Sequence, residues 1–190
     1  MIILRAFLAI PVPDYLKDYA FSIKKQLASI ARDVKWVERE NYHLTLKFLG
    51  EIKRELTEKI KKDMESVADS CPPMQLEVNR LGVFPNHRRP RVIWLGIEGE
   101  MEKLNFLGER VDAHLYTLGG FAAEKKRSFH LTLGRIRSEN NKEALLQQLA
   151  LINRELVNIS FPVHEFYLME SQLSSRGPTY LLHKSFILKG

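Results

Sequence analysis

Two histidines are each followed, two residues on, by a threonine, within the same tetrapeptide. His43-Leu44-Thr45-Leu46 lies in NYHLTLKFLGE, and His130-Leu131-Thr132-Leu133 lies in SFHLTLGRIR. Imidazole, with an ordinary pKa of about 6.5, gives or takes a proton near neutrality. Two imidazoles therefore suit a reaction that needs one acid and one base at once. Cleavage of a phosphodiester is such a reaction: one ring takes a proton from water while the other protonates the departing ribose oxygen. A hydroxyl two residues along a strand points to the same face as the histidine. Thr45 and Thr132 are so placed to donate to a non-bridging phosphate oxygen and to stabilise charge growing in the transition state.

Other chemistries fit less well. Neither phrase brings a second histidine, a cysteine or a carboxylate onto its face, so a metal site is the weaker reading. No Gly-x-Ser-x-Gly elbow and no phosphate-cradling glycine loop occurs. His87 sits in the basic run Asn86-His87-Arg88-Arg89, His114 on the polar side of a helical stretch, and His164 and His183 on strands without a threonine partner. Solvent or structural roles suit these four better. Cys71, ahead of Pro72-Pro73, reads as a boundary or core residue rather than a nucleophile.

The elements that must present the two phrases follow from periodicity. Strands are expected at 2–10, 34–37, 42–49, 74–81, 91–97, 128–136, 158–169 and 179–188. Helices are expected at 14–32, 53–68, 101–118 and 142–156. Gly50 is expected to stop the first histidine strand, Gly82 to open a loop, Gly119-Gly120 to end a helix and Ser138 to cap the last helix. The loop before the final strand is Ser174-Ser175-Arg176-Gly177-Pro178. Strict alternation places His43, Thr45 and Lys47 on one face of their strand and Leu44, Leu46 and Phe48 on the core face. Arg135 falls on the Leu133 face, away from His130, unless the strand bends near Gly134. The order helix, histidine strand, helix, two strands occurs twice. This predicts an internal duplication and two pseudo-symmetric lobes of an α+β unit, with antiparallel sheets lining a central cleft and helices outside.

At 190 residues, 45% hydrophobic and 27% charged, the chain suits one globular domain over 1–190 built from two lobes. No apolar run is long enough to span a bilayer, and MIILRAFLAIPVP reads as a buried strand rather than a leader. A single cysteine excludes an intramolecular disulfide and suits a reducing cytoplasm. The net charge of +6 favours phosphorylated partners. The excess gathers at Arg88, Arg89 and Arg91 and at Lys125, Lys126 and Arg127, beside the candidate site strands.

The paired phrases resemble the two-histidine phosphoesterase superfamily, whose signature is two His-x-Thr-x motifs. More narrowly, the chain resembles the RNA 2′,3′-cyclic phosphodiesterases, also called 2′-5′ RNA ligases. Further carriers are Arg5-Ala6-Phe7-Leu8-Ala9-Ile10, Lys47-Phe48-Leu49-Gly50-Glu51, Gly82-Val83-Phe84-Pro85, Pro90-Arg91-Val92-Ile93-Trp94, Gly134-Arg135, Glu170-Ser171 and Gly177-Pro178-Thr179-Tyr180. The second phrase departs from a common family form in lacking an extra Pro-His before it, since Phe129 directly precedes His130. The resemblance implies hydrolysis of 2′,3′-cyclic phosphate ends of RNA, tRNA fragments among them, to a 2′-phosphate, with no metal or other cofactor. It implies His43 and His130 as the acid–base pair, Thr45 and Thr132 on the phosphate, and Arg135 as a further phosphate contact. A 2′-phosphate product requires expulsion of the 3′ oxygen, and His43 is taken as the general acid for it and His130 as the general base, with the pseudo-symmetry leaving the converse assignment open. Ligation of RNA ends through a 2′-5′ linkage and binding of RNA without catalysis are the alternatives. A cytoplasmic monomer is expected.

Overall fold

In a computed structural model, residues 2–174 and 177–190 are described, the side chain of Ser174 apart. Nine strands and four helices follow in order: β1 (Ile3–Pro11), α1 (Asp14–Ala28), β2 (Val34–Trp36), β3 (His43–Lys53), α2 (Leu56–Ser70), β4 (Met74–Phe84), β5 (Val92–Gly99), α3 (Met101–Leu118), β6 (His130–Ile136), α4 (Lys142–Glu155), β7 (Ile159–Val163), β8 (Glu165–Ser174) and β9 (Gly177–Ile187). The helices form where the apolar stripes predict them, except that α1 stops at Ala28 rather than at residue 32. Leu16, Ala20, Ile23 and Leu27 of α1, Ile60, Met64 and Val67 of α2, and Leu104, Leu107, Val111 and Leu115 of α3 are all buried. No helix among the described residues is long and apolar enough to cross a membrane.

The strands form one curled antiparallel sheet in the order β7-β4-β5-β6-β3-β1-β8-β9, with β2 beside β6. The two lobes meet at the β3–β6 junction, where the backbone register is the single pair Leu44 and Leu131. Both leucines are fully buried, each stabilising the junction by about 1.5–3 kcal/mol. A histidine directly precedes each, so the junction sets the two rings on the same, concave side. Helices α1 and α4 pack together behind β6 and β4, and α2 and α3 behind β3 and β9.

The duplication is organised differently from two halves forming two lobes. Outward from the junction, one lobe runs β3-β1-β8-β9 and the other β6-β5-β4-β7. The first half of the chain thus lends β4 and β5 to the lobe of His130, and the second half lends β8 and β9 to the lobe of His43. Local order along the chain does not encode which strands pair, so the periodicity could not show this exchange.

Several boundaries also move. β3 runs through Gly50, whose φ of +70 fits an irregular position inside the strand, and ends at Lys53, so α2 starts at Leu56. β4 continues through Gly82 to Phe84. The expected strand 158–169 is two, β7 and β8, parted at His164. The expected loop at 174–178 is a hairpin end in which Ser174 faces Gly177 and Leu173 faces Pro178. Ser175 and Arg176 of that loop lie outside the described residues. Ser138 does not cap α4: its hydroxyl donates to Asp33 at 2.6 Å, and the position before α4 is Asn141 with φ 57.

Candidate active site

The two histidines are held alike. His43 Nδ1 lies 2.7 Å from the carbonyl of Asn41, and His130 Nδ1 lies 2.8 Å from the carbonyl of Ser128. A carbonyl only accepts, so Nδ1 carries the proton in both rings and Nε2 is the nitrogen left without one in the neutral ring. In the neutral ring of His43, Nε2 accepts from the Thr45 hydroxyl at 3.1 Å. Thr132 makes no corresponding bond to His130 among the described residues, so the two copies are not equivalent.

Aromatic rings frame each imidazole. Phe7 and Tyr180 pack on His43 with ring centroids 5.1 and 5.3 Å away, Tyr180 edge-on. Phe84 stands edge-on to His130 at 5.0 Å, with Trp94 stacked on Phe84 at 4.7 Å. Asn41 serves twice here: its carbonyl orients His43, while its side-chain amide donates to the Pro178 carbonyl at 2.9 Å and fixes the start of the strand that carries Tyr180. The frames went unassigned in the sequence, although Phe7 had a signal. It lies between Ala6 and Leu8, on the opposite face of β1 from both.

Electrostatic effects reach across the cleft. Burial pushes the His43 pKa below its ordinary value, the Asn41 carbonyl resists this, and the charge of His130 adds to the lowering. Burial also lowers the pKa of His130, against the Ser128 carbonyl and with the help of Arg135. Burial raises the Tyr180 pKa, and Arg135 and Arg5 pull it back. Arg135, from the lobe of His130, therefore acts on Tyr180 of the other lobe.

Strict alternation misplaces three side chains, and bulges are the reason. Between β3 and β1 the register skips a residue twice: Thr45 faces Ala9, Lys47 faces Leu8, Phe48 faces Phe7 and Gly50 faces Ala6. The first skip turns Lys47 off the histidine face and buries it at 5% exposure. It also turns Phe48 outward to the concave side, 65% exposed and 6.4 Å from Phe7, instead of into the core. Between β6 and β5 the register passes from Trp94–Thr132 to Ile93–Gly134, so Leu133 is the extra residue. That returns Arg135 to the face of His130 and Thr132, and it is exposed there. The bend that glycine permits is present, one residue ahead of Gly134.

Beneath the concave face, Lys47 Nζ meets Asp112 Oδ1 of α3 at 2.8 Å and donates to the Ala122 carbonyl at 2.6 Å. Asp112 also binds Arg127 and accepts from the backbone N–H of Glu124 at 2.9 Å. Burial alone would raise the Asp112 pKa, yet Lys47, the Glu124 N–H and Arg127 outweigh it and hold the carboxyl below its usual range. This cluster joins β3, two residues after Thr45, to the segment that leads into His130. The remaining histidines stay outside the site: His87 and His164 are exposed, His114 lies 3.4 Å from Arg110, and His183 pairs with Glu170 at 2.7 Å. Cys71 is buried, as a boundary residue should be. Among the described residues no group of three or more His, Cys, Asp or Glu could hold a metal ion.

A duplicated fold with one His-x-Thr strand from each lobe facing a shared cleft defines a two-histidine phosphoesterase architecture. The LigT-like phosphoesterase family model matches residues 10–94 and again 95–180, one copy per repeat. The chain belongs to this family. It is 34% identical over 179 residues to an RNA 2′,3′-cyclic phosphodiesterase of Methanothermobacter thermautotrophicus, covering 93% of this chain and 94% of that one. It is 35% identical over 180 residues to that of Archaeoglobus fulgidus, covering 93% and 96%. A crystal structure from Thermus thermophilus superposes with a TM-score of 0.81 at 25% identity, covering 98% and 99%. Escherichia coli LigT complexed with 3′-AMP gives 0.77 at 24% identity over the full length of both chains.

Proposed function

We propose that this protein hydrolyses 2′,3′-cyclic phosphate ends of RNA to 2′-phosphates, with His43 as general acid and His130 as general base. The observation that carries this reading is the matched pair of imidazoles, each with its Nδ1 proton held by the carbonyl two residues upstream, so that Nε2 is the nitrogen turned to the cleft in both. His130 takes a proton from water as the water oxygen bonds to phosphorus. The bond from phosphorus to the 3′ oxygen breaks, and His43 protonates that oxygen. Thr45 and Thr132 donate to the non-bridging oxygens, and Arg135 offsets their charge. Two features favour His130 as the base: Arg135 beside it favours the neutral ring, and its Nε2 has no bond to threonine to exchange for water. The same reading includes a monomer acting on RNA ends in the cytoplasm, tRNA fragments among them, with the proton transfers carried by the imidazoles.

The experiment is incubation with a nucleoside 2′,3′-cyclic phosphate in the presence of a chelator. A 2′-phosphate product is expected, and its absence at every pH tested sinks the proposal. The pH profile gives a second check. Catalysis needs one ring charged and one neutral, and both pKa values are lowered. In the free enzyme the singly protonated pair therefore peaks on the acid side of about 6.5. kcat/KM is expected to follow a bell with its apex there. Bound phosphate favours imidazolium, so the apex of kcat moves to higher pH. A kcat/KM apex on the alkaline side of neutrality would contradict this assignment.

A further inference from the structure

A cyclic phosphate closes the 3′ end of an RNA, so the rest of the strand leaves the site in one direction only. We infer, building on the proposed function, that it leaves past Arg135 over Lys35 and into the basic groove beyond β6, on the lobe of His130. The first observation is a like-charge pair. In the register of β2 with β6, Lys35 stands directly opposite Arg135, and directly opposed residues share a face. Such pairs are destabilising in an antiparallel ladder unless something lies between them. Both side chains are exposed, and neither has a carboxylate within 4.0 Å among the described residues. The pairing itself depends on Gly134, where a Cβ would meet Val34 at 2.6 Å and Trp36 at 2.9 Å. Two cations held face to face beside a phosphate site suit a bridging phosphodiester.

The second observation is where that pair leads. Beyond the end of β6, Asn86, Arg88, Arg89, Glu139 and Lys142 line an open groove. Its loop is shaped rather than loose: Asn86 Oδ1 accepts from the backbone N–H groups of Arg88 and Arg89 at 3.0 and 3.1 Å, and Lys142 donates to the Arg88 carbonyl at 3.1 Å. The one acid in the groove, Glu139, is 3.3 Å from Lys142, which leaves both arginines unpaired among the described residues. Phe84, the ring against His130, is the last residue of the strand that enters this loop. The other basic cluster is a poorer track, because Arg127 is bound to Asp112. At the far edge of the sheet the exposed side chains include Leu173, Leu181 and Leu182, which offer a phosphate backbone nothing.

The test compares kcat/KM on a mononucleoside 2′,3′-cyclic phosphate with that on a short oligoribonucleotide carrying the same end. The oligonucleotide-to-mononucleotide ratio is expected to fall about tenfold in Arg88→Gln/Arg89→Gln and severalfold in Lys35→Gln. Each lost cation should flatten the salt dependence of oligonucleotide binding by about 0.7 in log–log slope. Lys125→Gln/Lys126→Gln should leave the ratio as it was. An unchanged ratio in the first two variants, or a fall in the last, overturns the path. If the wild type turns over neither substrate, the proposed function fails instead. Oligonucleotide binding alone then decides the path: loss of affinity in the same variants upholds it, and unchanged affinity overturns it.

Discussion

His130→Ala lowers kcat by about 10²–10⁴-fold, the range for a positioned general acid or base, while circular dichroism and Tm stay near the wild type. The ring is half-buried at the surface of the cleft, bonded to the Ser128 carbonyl and packed edge-on against Phe84, and Phe84 keeps its stacking on Trp94 when the imidazole is removed. His43→Ala falls as far in kcat. The two losses do not multiply, since an acid without its base completes no turnover. The double variant is therefore expected within about tenfold of the weaker single variant. Full multiplication of the two effects, measured by single-turnover kinetics, would show independent rather than concerted roles.

Asp112→Ala is expected to cost about 3–5 kcal/mol, because it leaves Lys47 buried with its charge largely uncompensated. Both side chains are 5% exposed, so water cannot replace the lost partner. Glu124 remains at 3.4 Å, but from a half-exposed position. Urea denaturation gives the measurement. Lys47→Met/Asp112→Leu should recover much of the loss, because an apolar pair of similar size avoids the desolvation of two charges. If Asp112→Ala costs under about 1 kcal/mol, the cluster is only decorative. Activity adds information, since the cluster ties β3 to the approach to His130. The rescued variant then tells whether packing alone holds the two histidines in place.

The chemistry was far more legible than the architecture. A tetrapeptide repeated in matching places announces a paired site without any knowledge of tertiary structure. The helices were legible because Leu104, Leu107, Val111 and Leu115, and their counterparts elsewhere, obey a period of 3.6. Phe48, Lys47 and Arg135 were misplaced because a bulge arises between two strands and belongs to neither sequence alone. Asp112 had left a trace: with Gly108 and Leu115 it occupies helical spacing beside the apolar stripe, where a carboxylate calls for a buried cation. The aromatic frames of the histidines come from β1, β4, β5 and β9, and only the strand order brings those together.

That strand order also governs when the molecule becomes whole during synthesis. The lobe of His43 takes β8 and β9 from the second repeat, so Tyr180, which walls His43, is translated only after both histidine phrases. Until they emerge, β1 keeps a bare edge, the kind of surface that recruits other strands. A product that stops before β8 would carry both His-Leu-Thr-Leu phrases but not the frame around the first. The exchange thus makes the cleft wait on the second repeat: a chain that stops before β9 lacks Tyr180 and with it the frame of His43.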